Sequence, residues 1–282
     1  MADISINLTV VGDRSCSTTL TYLSYLRDAG LRPKRLWLVD FGPVGRVVRA
    51  AGSLIGHHLV ARLLRTNRVA AASAEYESLC WRLQHEAGLA PINYFETWEA
   101  KEFAETVEYL RAVDYLDPIL QSRICDDGCA FLYTNGGIVP AALLSRPGVR
   151  VLHIHPGIVP DVRGSDCLLW SAHVRKQIGV SCFYMSPGID EGAVIGQREF
   201  KLPKLPSLAP LLTASGEAEA TRALLYAVDP HFRAKLLVDV IRSNSAVDLR
   251  ALPVRPQPPA GRPAYLWMHP RLRRKVMQEA FL

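Results

Sequence analysis

Ile4-Ser5-Ile6-Asn7-Leu8-Thr9-Val10-Val11-Gly12-Asp13-Arg14-Ser15-Cys16-Ser17-Thr18 carries the pattern that decides the fold. Ile4, Ile6, Leu8 and Val10 alternate with Ser5, Asn7 and Thr9. A period of two predicts a strand with one apolar face. A polar turn follows, and Leu20, Leu23 and Leu26 then recur at helical spacing up to a stop near Gly30. Strand, polar turn, helix is the opening unit of a doubly wound α/β fold. The helix start offers free backbone N–H groups that can hold an anion, which makes Ser15 a candidate substrate contact. Ser15, Ser17 and Thr18 serve equally as plain capping residues. The turn lacks G-x-G-x-x-G, so no dinucleotide is indicated.

The same alternation continues downstream. Strands are expected over 35–41, 93–96, 130–134, 149–153, 180–185 and 193–200. Helices are expected over 45–65, 70–86, most of 99–125, 141–144, 166–176 with Asp166 as cap, 206–226, 229–243 and 270–281. His57 and His58 fall in the first of the long helices and read as surface or packing residues. The expected architecture is a Rossmann-like, mostly parallel sheet over residues 1–205 with a helical C-terminal extension over 206–282. Within the extension, 251–263 is proline-rich and should be extended and exposed. The apolar segment Tyr265-Leu266-Trp267-Met268-His269-Pro270 packs either on its own domain or on a second subunit, so a homodimer stays open.

Composition sets the outer bounds. Of 282 residues, 49% are hydrophobic and 21% charged, which describes a globular chain rather than a disordered one. The net charge of +6 suits an anionic ligand but is too small to imply nucleic acid. Arg271, Arg273, Arg274 and Lys275 form the densest basic cluster and read as a solvated helix face. No apolar run approaches the ~18 residues of a membrane span. The N-terminal residues lack the pattern of a signal peptide, so a cytoplasmic protein is expected. Cysteines 16, 80, 125, 129, 167 and 182 include no C-x-x-C pair and read as reduced, mostly structural thiols.

The chemistry concentrates in Leu152-His153-Ile154-His155-Pro156-Gly157-Ile158-Val159-Pro160-Asp161-Val162-Arg163-Gly164. Residues two apart on a strand face the same side, so His153 and His155 share a face at a strand's C-terminal end. That edge is where open α/β sheets place their ligands. Two imidazoles there serve as metal ligands, acid–base groups or hydrogen-bond donors, or simply as packed strand-end histidines. Gly188-Ile189-Asp190-Glu191-Gly192 sets carboxylates on a glycine-flanked loop, where Asp190 can orient a histidine or merely form a turn.

His155-Pro156-Gly157-x-x-Pro160-x-x-Arg163-Gly164, followed by Ile189-Asp190-x-Gly192-x-x-Ile195-x-Gln197, resembles the signature of the folate-dependent formyltransferases. That family includes glycinamide ribonucleotide and methionyl-tRNA enzymes, sugar and hydroxyornithine formyltransferases, and formyl-folate hydrolases. The likeness covers about 130–200, and the element order before it is compatible. It implies a formyltransferase fold and 10-formyltetrahydrofolate as formyl donor, gripped by Asn135, Gly136, Gly137, Ile138, Val139, Gly188 and Ile189. His155 and Asp190 match the family's proton-transferring histidine and its orienting aspartate. The family's third catalytic group, an asparagine that donates to the developing oxyanion, is replaced by His153. Arg163 and Gly157 are expected near the substrate, with Arg163 either contacting an anionic group or forming a structural ion pair. No resident metal is assigned. Members acting on tRNA carry a C-terminal β-barrel, whereas the chain after 200 reads helical. A small amine is therefore the expected acceptor: an amino sugar, an ornithine-type side chain or a biosynthetic intermediate. The rivals are a hydrolase on the same scaffold, a metal enzyme using His153, His155 and Asp190, and a non-catalytic folate-binding protein.

Overall fold

A computed structural model describes residues 3–40, 74–111, 117–126, 128–134, 139–214, 216–244 and 248–282. Strand β1 (Ile4–Gly12) leads into helix α1 (Ser17–Asp28) and β2 (Leu31–Asp40). Then follow α2 (Ala74–Glu86), β3 (Thr106–Arg111), α3 (Pro118–Asp126), β4 (Ala130–Tyr133), α4 (Ala141–Leu144) and β5 (Val151–His155). The remainder comprises α5 (Cys167–Arg175), β6 (Ile178–Tyr184), β7 (Val194–Phe200), α6 (Ala209–Ala214), α7 (Glu217–Ala227), α8 (Asp229–Ser243) and α9 (Pro270–Phe281).

The strands form one seven-stranded sheet in the order β3-β2-β1-β4-β5-β6-β7. The first five are parallel, while β6 and β7 run antiparallel to their neighbours. The alternation read from β1 divides the interior. Leu8 and Val10, Leu36 and Leu38, Ala130 and Leu132, and Leu152 and Ile154 pack into one large core. Val11, Trp37, Val39, Phe131, Tyr133 and Val151 fill a smaller one. Opposite faces of each strand therefore serve different helices, as a doubly wound sheet requires. Fully burying a leucine such as Leu8 or Leu36 contributes about 1.5–3 kcal/mol.

Strand order reverses between β1, which continues to β2 on one side, and β4 on the other. A crevice at the strands' carboxyl ends follows from such a reversal. Its floor is tight: Thr19 Oγ1 lies 2.8 Å from Thr134 Oγ1, and Thr134 Oγ1 donates to the Val11 carbonyl at 3.0 Å. A Cβ on Gly12 would sit 2.4 Å from Thr19 Oγ1 and 2.6 Å from Thr134 Oγ1, so only glycine fits there.

Several expected elements change. The stretch read as helical through 99–125 contains β3, an edge strand whose Thr106 and Tyr109 are exposed. Its helix-forming Glu108, Leu110 and Arg111 masked a strand that only pairing with β2 stabilises. Residues 93–96 form bends rather than a strand: Asn93 Oδ1 accepts the backbone N–H of Phe95, an Asx turn. Asp166 does not cap α5 with its side chain; it has a left-handed φ of 52°, and its carboxylate receives Met268 N–H and the Arg273 guanidinium, each at 2.8 Å. The expected helix over 45–65, with His57 and His58, lies outside the described residues.

The C-terminal helices share the large core instead of standing apart from it. Helix α8 packs on α1 and across β5, β6 and β7. Its His231 is wholly buried, with Nδ1 3.1 Å from Tyr25 Oη and Nε2 2.9 Å from Tyr94 Oη. Burial drives its pKa down to about 3, so the ring is neutral and donates through one nitrogen while accepting through the other. In the basic cluster of α9, Arg273 is paired to Asp166 and Arg274 donates to the Leu212 carbonyl at 2.7 Å, so half of that cluster is structural. His231→Phe should cost Tyr25 and Tyr94 one hydrogen bond each and lower the unfolding free energy by about 1–3 kcal/mol in urea titrations. An unchanged urea midpoint would contradict the role given to this ring.

Candidate active site

Strand β5 keeps its backbone pairing through His155, two residues beyond the expected end, because it pairs with β4 and antiparallel with β6. His153 and His155 share the face of Val151, opposite Leu152 and Ile154. His153 lies opposite Phe183 in the ladder, with ring centroids 5.5 Å apart, and the two histidine rings are 6.0 Å apart.

His155 is 2% exposed and both its ring nitrogens face oxygen. Nε2 is 3.0 Å from the Val162 carbonyl, and a carbonyl only accepts, so Nε2 carries a proton. Nδ1 lies 3.5 Å from Asp190 Oδ1. The other carboxylate oxygen, Asp190 Oδ2, accepts Gly164 N–H at 2.8 Å. Asp190 itself has a φ of 54°, a left-handed conformation costly for a non-glycine residue and held here by its surroundings. Gln257 Nε2 donates to the Asp190 carbonyl at 2.9 Å and to that of Gly192 at 2.7 Å. A Cβ on Gly192 would lie 1.7 Å from the Tyr184 carbonyl oxygen, so the loop passes β6 only as glycine.

The loop after β5 is fixed from beneath. Ser181 Oγ donates to the Gly157 carbonyl at 2.7 Å and accepts Val159 N–H at 3.1 Å. Gln197 Nε2 donates to the Val159 carbonyl at 2.7 Å. Gly157 is a positioning residue: a Cβ there would meet the Val162 oxygen at 2.4 Å and His155 Nε2 at 2.9 Å, breaking the bond that orients the ring. Arg163 Nη1 donates to the Ile189 carbonyl at 3.1 Å and pairs with Glu191 at 2.6 Å, which favours the structural of its two expected roles.

His153 is the least satisfied member. Its Nδ1 is buried without a hydrogen-bond partner among the described residues. Burial first, then the charge of His155 and of Arg233, lowers its pKa to about 3 against the opposing pull of Asp190. A neutral ring follows, carrying one N–H and one lone pair. Buried polar atoms are nearly always bonded, so this orphan nitrogen beside His155 is a candidate ligand contact.

The remaining sequence candidates scatter. Asn135, Gly136, Gly137 and Ile138 lie outside the described residues. Val139 is buried in the smaller core beside Val11 and Tyr133. Gly188 and Ile189 lie on the Asp190 loop, with Ile189 exposed. Ser15 is taken up locally, since its N–H and hydroxyl both donate to Asp13 Oδ1 at 2.6 Å. That carboxylate occupies the turn where an anion was expected.

Two residues went unnoticed in the sequence. Arg233 and Asp229, one helical turn apart on α8, form a buried ion pair at 2.7 Å. Arg233 Nη2 also donates to Thr18 Oγ1 at 3.0 Å, at the start of α1. Burial raises the pKa of Asp229 against the opposing effects of Arg233 and His155, and Asp229 Oδ1 has no partner among the described residues. An Asp–Arg spacing of four beside Asp229-Pro230 was the available signal, but such pairs are common on exposed helices.

The depressed pKa of His153 has a consequence for stability. Between pH 6.5 and about 3 the unfolded chain binds a proton that folded His153 refuses, so this term destabilises the fold progressively as pH falls through that window. His153→Asn removes it. The loss of denaturation midpoint from pH 7 to pH 4.5 should be shallower in the variant than in the wild type; parallel slopes would refute the neutral, desolvated His153.

Part of the chain is similar to known proteins. Residues 129–224 match the model of the formyl transferase family. The chain is similar to methionyl-tRNA formyltransferase of Syntrophus aciditrophicus (strain SB), 32% identical over 69 residues, and to that of Prochlorococcus marinus (strain MIT 9515), 28% identical over 107. The matches cover 24% and 38% of this chain and only 22% and 32% of those relatives. Among solved structures, glycinamide ribonucleotide transformylase 1 from Symbiobacterium toebii is 15% identical with a TM-score of 0.46, over 91% of this chain and 95% of that one. A sugar N-formyltransferase from Shewanella sp FDAARGOS_354 is 14% identical with a TM-score of 0.40, over 84% and 70%. The family-matched segment, residues 129–224, is the one that carries His153, His155 and Asp190.

Proposed function

We propose that the chain transfers a formyl group from 10-formyltetrahydrofolate to the primary amine of a small acceptor. The observation that carries this reading is the convergence of His153, His155 and Asp190 at the carboxyl end of β5, within the family-matched segment. The acceptor nitrogen attacks the formyl carbon, and the carbonyl π electrons move onto oxygen. His153 is neutral and supplies a ring N–H to that oxyanion, the task the family gives to an asparagine. His155, held between Asp190 and the Val162 carbonyl, moves the proton from the attacking amine towards the departing folate nitrogen. The carbonyl re-forms as the bond to that nitrogen breaks.

Residues 1–205 act in this scheme as the catalytic unit, with 206–282 as a helical extension built into the same core. Residues 251–265 contribute more than a linker. Gln257 steadies the Asp190 loop, and Tyr265 N–H donates to the Arg163 carbonyl at 2.7 Å. Helices α6 to α9 follow β7 among the described residues. Leu266 and Trp267 remain exposed, while Tyr265 stacks on Trp170 at 4.4 Å. No helix among the described residues is long and apolar enough to cross a membrane.

Incubation with 10-formyltetrahydrofolate and a panel of amino sugars and ornithine-type amines should release tetrahydrofolate and a formylated amine, both read by mass spectrometry. His155→Ala and Asp190→Asn should each lower the rate by roughly 10²–10⁴. Full activity in both variants would refute the mechanism. Formate release without any amine would make the chain a hydrolase instead.

A further inference from the structure

The replacement of the family asparagine by His153 changes the donor set of the site. One ring nitrogen from each of His153 and His155 and one oxygen of Asp190 lie within 4.8 Å of one another. Ligands arranged tetrahedrally at about 2.1 Å from a zinc ion stand roughly 3.4 Å apart. His155 Nδ1 and Asp190 Oδ1, at 3.5 Å, already have that separation. The third donor needs only a small side-chain adjustment to join them.

The surrounding contacts match those of a metal centre. A metal-bound imidazole nearly always donates its other ring N–H to a carbonyl or carboxylate, which fixes the tautomer. His155 does this through Nε2 to Val162, leaving the Nδ1 lone pair directed at Asp190. Asp190 has Oδ2 anchored on Gly164 N–H and its backbone carbonyl held by Gln257. His153 brings a buried Nδ1 that no described residue satisfies. His155 and Asp190 are thus held from behind, and His153 adds an unsatisfied nitrogen.

We propose that His153, His155 and Asp190 bind one divalent first-row transition metal ion. Two imidazoles and one carboxylate are the donors of zinc and ferrous sites, whereas magnesium and calcium prefer oxygen throughout. The ion occupies the place of the Nδ1 proton of His155, so metal and proton compete for the site. The inference concerns binding alone and does not depend on formyl transfer.

The test uses the full chain, stripped with a chelator and dialysed, then titrated with Zn2+ by calorimetry, with Co2+ by visible absorption and with Fe2+ under anaerobic conditions. Expected are one ion per chain for at least one of these metals and, for Co2+, absorption in the range of nitrogen- and oxygen-ligated centres. His153→Asn and Asp190→Asn should each weaken binding tenfold or more, while His85→Asn, at an exposed position, should leave it unchanged. Circular dichroism verifies folding, and either site variant suffices should the other not fold. Absence of stoichiometric binding in the wild type, or equal affinity in the folded site variants, overturns the proposal. His153→Asn also restores the family's asparagine, so formyl transfer by that metal-free variant separates the two readings: transfer with metal binding lost supports the metal site, and transfer with binding intact overturns it.

Discussion

The hydrogen bond from His155 Nε2 to the Val162 carbonyl governs what the site can do. It commits one ring nitrogen as a donor and leaves the other facing Asp190. That bond exists because the loop after β5 folds back within five residues of Gly157, and the fold-back needs a residue with no Cβ at 157. Ser181 and Gln197, from β6 and β7, hold the loop in that path. The antiparallel end of the sheet thus supports the chemistry borne by its parallel part.

Asp190 is reached by a second route with the same logic. The turn between β6 and β7 passes the Tyr184 carbonyl at Gly192 and places Asp190 in a left-handed conformation. Arg163 and Gln257 then clamp that turn from the two flanking segments. Three stretches distant in sequence, 156–164, 188–192 and 255–265, therefore rise or fall together. A loosened proline-rich strap would be felt at Asp190, although none of its residues touches His155. Preorganisation of this kind keeps the Asp190 carboxylate 3.5 Å from the His155 ring.

How much of this was legible in the sequence depended on range. β1, α1 and β5 follow from local periodicity, and His153 and His155 follow from their parity on β5, which register alone sets. β3 did not, because an edge strand of Thr, Glu, Tyr and Arg is defined by its partner β2. The side chain of Asp166 looked like a cap, yet its carboxylate is drawn to Arg273 over a hundred residues away. The Asp229–Arg233 pair and the wholly buried His231 were equally invisible, since a helical pattern does not say which face meets α1. Gln257 sits in a stretch whose composition suggested only an exposed linker.

His153 concentrates what is unusual here. An asparagine at this position brings an amide whose N–H₂ donates and whose oxygen accepts, with no basicity at neutral pH. A neutral imidazole brings one donor and one basic lone pair, and burial keeps it neutral. The donor preserves the ability to hold an oxyanion. The lone pair adds an affinity for cations that the amide lacks, a few ångströms from a histidine and an aspartate already oriented by the loops. The proposed formyl transfer draws on the donor, and the proposed metal site draws on the lone pair.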